Sequence, residues 1–168
     1  MLRVVLFLAL TSPQSVLAFC NDGWLPYHNV CVVFSGVERP WHQALAICTK
    51  YGGWIYHDND EDDPDKHTWI VGHMKAHKVA SVWIGGFKAG YKSFEWMPGF
   101  EYIRDPRWAP GQPKSGELRC ISLQGQLGYK WKNENCTSKF HYICERRSNS
   151  YFANSSPIKI YDFTPYTG

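Results

Sequence analysis

Two short segments carry side chains whose oxygen atoms and spacing are typical of a loop that binds a cation. One reads WAPGQPKSGELRC and contains Gln112 and Glu117; the other reads WKNENC and contains Asn133. Calcium takes six to eight oxygen ligands, several of them anionic. Each segment also carries a lysine, Lys114 or Lys132. At an effective dielectric of ~20, one ammonium about 4 Å from a divalent ion costs on the order of 8 kcal/mol.

Three histidines on one predicted helix are the second group that could bind a metal. His73 and His77 are four residues apart and His67 lies six residues earlier, but no Glu stands between His73 and His77 in an H-E-x-x-H arrangement. We therefore expect solvent-facing histidines, with no metal and no cofactor. No G-x-S-x-G or comparable motif presents a nucleophile, so the sequence indicates a protein that is not an enzyme.

The six cysteines indicate a protein that is stabilised by disulfides. An even number of cysteines in a secreted chain predicts three disulfides, with fifteen possible pairings. Zinc ligation is the alternative, but no C-x2-C spacing supports it. The cysteines are Cys20, Cys31, Cys48, Cys120, Cys136 and Cys144.

The N-terminal residues 1–18 are typical of a secretory signal peptide. They have one early cation, Arg3, then an apolar run and a small-residue ending at Ala18. This run is too short to span a bilayer, and no later segment approaches about 20 apolar residues. The sequence therefore predicts a secreted, extracellular protein with no membrane span.

The rest of the chain is predicted to form one domain and a tail. Residues 19–146 have the length of a single domain. Residues 147–168 are rich in Ser, Asn and Tyr without an apolar period, which predicts a flexible C-terminal tail. Arg146 and Arg147 at the boundary could be a processing site, although two basic residues also commonly end a domain.

The charge distribution excludes some partners and leaves others open. The net charge of +3, or +2 without Arg3, is too small to predict binding to nucleic acid or to an anionic membrane. The six acids of residues 58–65 could form a mineral-binding patch, but a helix N-terminus also favours negative charge. They lack the spacing of an EF-hand, so we favour the helix explanation. A cationic surface for an anionic partner remains open around the long loop, at Tyr102, Arg104, Arg107, Lys114, Arg119, Lys130 and Lys132.

Local patterns predict two helices followed by short strands. Residues 39–50 place Trp41, Leu45 and Cys48 on one face, and Pro40 stands near the helix start. A second helix is expected to begin at Asp63, followed by Pro64 in its first turn. The pieces SVWIGG, FEWMPG, CISL, GYKWKN and FHYICE read as strands, and a long irregular loop lies between the second and third.

These pieces in this order resemble the C-type lectin-like domain. The matching motifs are WHQALAIC, VWIGG, WAPGQP and WKNENC…FHYIC. The resemblance implies an α+β fold with two helices, small antiparallel sheets and a long irregular loop. It also implies the disulfides Cys20–Cys31, Cys48–Cys144 and Cys120–Cys136, which would leave no cysteine for an interchain bridge.

The resemblance also implies where a sugar would bind. In sugar-binding members, residues at the positions of Gln112, Lys114, Glu117, Lys132 and Asn133 hold the calcium that bridges to the sugar. Here lysines replace two of the ligands and Asn133 replaces an Asp. We therefore expect the calcium site to be lost, while these five residues remain the candidate ligand-binding positions. Pro113 is a candidate cis proline, as in the family.

We predict a secreted binding protein that recognises glycans or glycosylated surfaces, including anionic ones, without the usual calcium bridge. One alternative is a structural or mineral-associated protein of the extracellular matrix, and another is a protein-binding module. Two sequons predict N-glycosylation, at Asn154 in the tail and at Asn135 beside a disulfide, where folding competes with modification.

Overall fold

The computed structural model describes residues 18–59, 63–90, 93–104 and 106–150. Within these ranges the chain forms two helices and eleven strands, with a 3-10 turn at Gly125–Leu127. The elements are β1 Ala18–Phe19, β2 Leu25–Tyr27, β3 Val30–Phe34, α1 Trp41–Lys50, β4 Trp54–Ile55, α2 Pro64–Ala76, β5 Ser81–Lys88, β6 Phe94–Trp96, β7 Glu101–Tyr102, β8 Cys120–Gln124, β9 Lys130–Glu134, β10 His141–Arg147 and β11 Asn149–Ser150.

Nine of these strands form one mixed sheet. The main path is β2-β3-β10-β5-β6-β7, while β4 pairs with β10, and β8 pairs with β5 and β9. The β10–β5 pairing is parallel, with His141 opposite Val82, whereas the other described strand pairings are antiparallel. The expected small antiparallel sheets are therefore joined into a mixed sheet by this contact.

Both predicted helices are confirmed. Pro40 directly precedes α1, whose buried residues are Trp41, Ala44 and Cys48; Leu45 is only partly buried. The Asp63 carboxylate accepts a hydrogen bond from the Asp65 backbone N–H at 3.2 Å and so caps α2.

The core is built from large aromatic and branched side chains in two clusters. Trp96 and Trp131 lie in the first cluster and Trp83 in the second, and all three are buried. Both helices contribute to these clusters, α2 through Ile70 and Met74 and α1 through Trp41 and Ala44.

The three disulfides are Cys20–Cys31, Cys48–Cys144 and Cys120–Cys136, the pairing that the family resemblance implies. The Cys48–Cys144 bond joins α1 to β10, and the Cys120–Cys136 bond joins the start of β8 to the turn after β9. All six cysteines are thereby in intrachain bonds.

The described fold continues beyond the boundary expected at residue 146. Arg146 lies inside β10, is 9% exposed and stacks its guanidinium over the Trp24 ring at 4.5 Å. Further on, β11 pairs with β1, bringing Asn149 opposite Phe19. In the described part of the chain, the predicted processing site at Arg146 therefore lies in a strand that is paired with β3. Residues 1–17 and 151–168, which hold most of the predicted signal peptide, most of the tail and Asn154, lie outside the described residues.

Candidate functional site

The long loop between β7 and β8 is held at its base by two tryptophans. The Ala109 backbone N–H donates to the Trp131 carbonyl at 2.9 Å, and the Trp131 N–H donates to the Arg107 carbonyl at 2.9 Å. The Trp108 ring packs edge-on against the Trp131 ring, with 5.6 Å between centroids. Hydrogen bonds to Trp131 and the packing of Trp108 on its ring therefore hold the base of the loop in place.

Asn133, a candidate ligand-binding residue, is occupied by the backbone of the loop. Its side chain is buried, and its Oδ1 accepts a hydrogen bond from the Lys114 N–H at 2.8 Å. Its Nδ2 donates to the carbonyls of Lys114 and Leu118 at 2.8 and 2.9 Å. Both amide protons and the amide oxygen are thus used inside the protein, where a calcium-binding loop would direct oxygen at the ion.

The other candidate ligand-binding residues do not converge on one point. Lys132 Nζ pairs with Glu134 at 2.7 Å, and the Glu117 carboxylate pairs with the Arg119 guanidinium at 2.8 Å. Lys114 is exposed. Among the described residues, no group of three or more His, Cys, Asp or Glu could hold a metal ion.

Gln112 lies at the bend of the loop. The Gln112–Pro113 peptide bond is cis, as predicted for Pro113. The Oε1 atom of Gln112 is buried without a hydrogen-bond partner in the protein, and this is the one polar atom of the five candidates that is buried in this way. The structure therefore brings the Lys114 backbone and Asn133 together. Glu117 and Lys132 pair with other side chains, and Gln112 Oε1 is buried without a partner.

Asp58 lies in an environment that differs from the one predicted from the sequence. We expected it among the acids at the N-terminus of α2, but its carboxylate is 1% exposed. It accepts hydrogen bonds from the Tyr56 hydroxyl at 2.8 Å, the Trp131 indole N–H at 2.6 Å and His67 Nδ1 at 2.9 Å. We call these four residues the Asp58 cluster. The acidic run around Asp58 does not predict this cluster, because Trp131 is 73 residues away in the sequence.

The Asp58 cluster has two consequences for the predictions. First, His67 binds Asp58 and is therefore not solvent-facing; His73 is partly buried and packs edge-on against Trp69 at 4.3 Å. Second, Asp58 is removed from any mineral-binding patch, and residues 60–62 of that patch lie outside the described residues. Burial, followed by the charge of Asp58, raises the pKa of Tyr56 well above its usual value.

The proposed cationic surface is partly neutralised. Arg107 lies 3.9 Å from the Asp58 carboxylate, and Arg119 and Lys132 have carboxylate partners. Lys130 and Lys114 are exposed. The positive charge of this region is therefore smaller than the sequence count suggested.

The sequon at Asn135 is on the surface. Asn135 is exposed, and its Oδ1 accepts hydrogen bonds from the backbone N–H and the hydroxyl of Thr137, at 3.0 and 2.9 Å. Its glycosylation stays a prediction.

Comparisons with known proteins place this geometry in a family. The profile described as "Lectin C-type domain" matches residues 37–146. Salivary C-type lectin 2 of Aedes albopictus is 30% identical over 142 residues, covering 78% of this chain and 91% of the relative. Lymphocyte antigen 75 of Homo sapiens is 26% identical over 133 residues, covering 76% of this chain but 7% of the relative.

A solved structure agrees with the fold. The cow C-type carbohydrate-recognition domain of CD23, determined in the presence of a GlcNAc2Man3 oligosaccharide, superposes with a TM-score of 0.66 at 23% identity, covering 79% of this chain and 98% of that one. At this identity the likeness concerns the fold alone.

The chain spans less than a tenth of the length of several curated relatives that it matches, such as lymphocyte antigen 75. In the part of the chain that the structure describes, neither helix has the length and apolar character that crossing a membrane requires. The matched family consists of binding domains rather than enzymes, and it is a carbohydrate-binding family. With its two helices, mixed sheet, long loop and three disulfides, this chain belongs to the C-type lectin domain family.

Proposed function

We propose that this protein is an extracellular lectin that recognises glycans, or surfaces bearing them, without the calcium-bridged site of the sugar-binding members. The observation that carries the proposal is the Asn133 amide, whose hydrogen bonds are taken up by Lys114 and Leu118. A residue committed to the loop backbone contributes no oxygen to a metal ion. Family membership supports a carbohydrate ligand.

The charges of the loop support the same proposal. A calcium site needs several anionic oxygens, yet the Glu117 carboxylate is 83% exposed and paired with Arg119. Lys132, which precedes Asn133 on the same strand, takes up the carboxylate of Glu134 at 2.7 Å. The energy of placing a divalent cation here would therefore be unfavourable, since the available carboxylates are already neutralised.

The extracellular location is supported by the disulfides and by the apolar N-terminal segment. Three disulfides are typical of proteins from oxidising compartments, and residues 1–18 have the pattern of a signal peptide. The relative from Aedes albopictus is covered over 91% of its length, and its name describes it as a salivary lectin.

Two measurements test the proposal on the secreted protein. Calcium titration by calorimetry is expected to give no binding heat, and a glycan array is expected to give the same bound glycans in calcium and in EDTA. Binding that disappears in EDTA would contradict the calcium-independent mechanism. An array without any bound glycan in either buffer would contradict glycan recognition altogether.

A further inference from the structure

A polar cleft lies beside the N-terminal half of α2. It consists of two adjacent cavities of about 440 and 520 Å³, each within the range of small-molecule sites. The cavities share several lining residues, so we treat them as one surface and call it the α2 cleft. The shared residues are Trp54, Asp63, Lys66, Glu145 and Arg147.

The charges of the described residues that line the α2 cleft nearly cancel. Its described lining carries three carboxylates and two fixed cations. One cation, Lys66, forms an ion pair with Glu145, and both side chains are largely buried. Such a lining gives no strong preference for an ion of either sign, because attraction from one group is offset by repulsion from another. It instead offers hydrogen-bond donors and acceptors side by side, which suits a neutral ligand rich in hydroxyl groups.

The cleft also offers an apolar wall. Trp54 lines both cavities, and Pro98 lines one of them. An indole ring presents a large flat apolar face, and a sugar ring has an apolar face of C–H groups edged by hydroxyls. Trp54 between carboxylates and cations therefore matches both parts of a sugar.

The tip of the β6–β7 hairpin is part of the same region. Pro98 and Glu101 of this hairpin line the cleft, and Phe100 between them is 62% exposed. Phe100 has a φ of 58°, a left-handed conformation that bulky residues rarely adopt. Strained backbone of this kind concentrates at ligand-binding sites, and Phe100 directly precedes Glu101, which lines the cleft.

The walls of the cleft are held in place before any ligand arrives. Asp63 accepts a hydrogen bond from the Tyr27 hydroxyl at 3.1 Å while it caps α2. His57 stacks on Trp96, with 5.1 Å between centroids, and its Nε2 lies 2.9 Å from the Met97 carbonyl at the hairpin tip. Preorganised walls lower the entropic cost of binding.

We propose that the α2 cleft is the calcium-independent saccharide site of this protein, which stacks the apolar face of a neutral sugar on Trp54 and binds its hydroxyls through Glu101 and Arg147. This inference rests on the proposed glycan-binding function and assigns it to a surface away from the long loop. None of the described lining residues comes from residues 103–134.

The test uses the full secreted protein on a glycan array in EDTA, with variants of the cleft. Trp54→Ala and Glu101→Gln are each expected to weaken binding of the array glycans about tenfold, which corresponds to about 1.4 kcal/mol. Trp54→Phe keeps an aromatic face and should retain most of the binding. Glu95→Gln is the matched control, because Glu95 lies on the same hairpin but does not line the cleft.

The outcomes separate this inference from the proposed function. Loss of binding in Lys114→Ala, with full binding in Trp54→Ala and Glu101→Gln, would move the site to the long loop, overturning the cleft while keeping calcium-independent recognition. Equal losses in Glu101→Gln and Glu95→Gln would also overturn it. If the unaltered protein binds no array glycan, both proposals fail. Glu101 is exposed, so its variant remains informative even if Trp54→Ala does not fold.

Discussion

At the scale of single residues, one buried amide fixes the conformation of the long loop. Asn133 fastens the long loop at Lys114 and Leu118 by three hydrogen bonds. These contacts within the folded chain give the loop a defined shape.

Asn133→Ala is expected to loosen the long loop. Three backbone groups lose their partner, at a cost of about 1–3 kcal/mol in the free energy of unfolding, and hydrogen exchange at the Lys114 amide should become faster. Asn135→Ala is the control, because the Asn135 side chain accepts its hydrogen bonds from Thr137 in its own turn. The same exchange rate at Lys114 in both variants would show that Asn133 does not hold the loop.

Tyr27 gives a pH dependence at alkaline pH. Burial and the hydrogen bond to Asp63 raise the pKa of Tyr27 from 10.0 to about 12. The folded state thus holds this proton more tightly than the unfolded chain. The resulting stability is fully present below pH 10 and is lost as the pH rises through about 12.

Tyr27→Phe should therefore reduce the alkaline loss of stability, measured by urea unfolding at a series of pH values. At neutral pH the variant should be less stable by about 1 kcal/mol, since the hydrogen bond to Asp63 is missing. Tyr102→Phe, at an exposed tyrosine, is the comparison. If the two variants lose stability with the same slope, Tyr27 is not the responsible group.

At the scale of elements, the close approach of β4 to β10 depends on a glycine. A Cβ atom on Gly53 would lie 2.2 Å from the Glu145 backbone carbonyl oxygen. Backbone cannot move aside as a flexible side chain can. Gly53 therefore allows Trp54 to pair opposite Glu145, the arrangement that lines the α2 cleft.

Gly53→Ala is expected to destabilise the protein by about 1–3 kcal/mol through overpacking. Gly72→Ala provides a matched control in α2, where a Cβ would have no neighbour within 4 Å. Because alanine favours helix more than glycine does, Gly72→Ala should stabilise by up to about 1 kcal/mol. Thermal or urea unfolding of both variants measures the difference, and a neutral Gly53→Ala would refute the close-approach argument.

At the scale of the whole molecule, the disulfides differ in how strongly they restrict the unfolded chain. Cys48–Cys144 spans 96 residues, whereas Cys20–Cys31 spans 11. In a chain-entropy account the longer loop restricts the unfolded chain more, by about 5 kcal/mol against about 3 kcal/mol.

Replacing Cys48 and Cys144 together by alanine should therefore lower the free energy of unfolding more than replacing Cys20 and Cys31 together. Urea unfolding of the two double variants under oxidising conditions gives the comparison. A larger loss from the Cys20 and Cys31 variant would contradict the ordering by loop length.

The sequence predicted those parts of the fold whose signals are local. Asp63 followed by Pro64 indicated the start of α2, and the short apolar strands were found where alternation predicted them. The disulfide pairing came from the family resemblance, because spacing alone left fifteen possibilities.

The parts that could not be predicted depend on contacts between distant residues. Asp58 looked like one member of an acidic run until folding placed it against Trp131. The α2 cleft likewise combines Trp54, Glu101 and Arg147, three residues that share no motif. For Asn133, the sequence showed that an amide replaces a carboxylate. It did not predict that this amide would form hydrogen bonds with the backbone of Lys114.

The pairing of β1 with β11 has a consequence for longer chains. Because Phe19 lies opposite Asn149, a polypeptide enters and leaves the folded unit at nearly the same point. Domains whose chain ends lie close together can be inserted between two other domains without a long connecting segment. Because Arg147 lines the α2 cleft, the chain leaves the folded unit within a few residues of that cleft, and a following module would lie close to it.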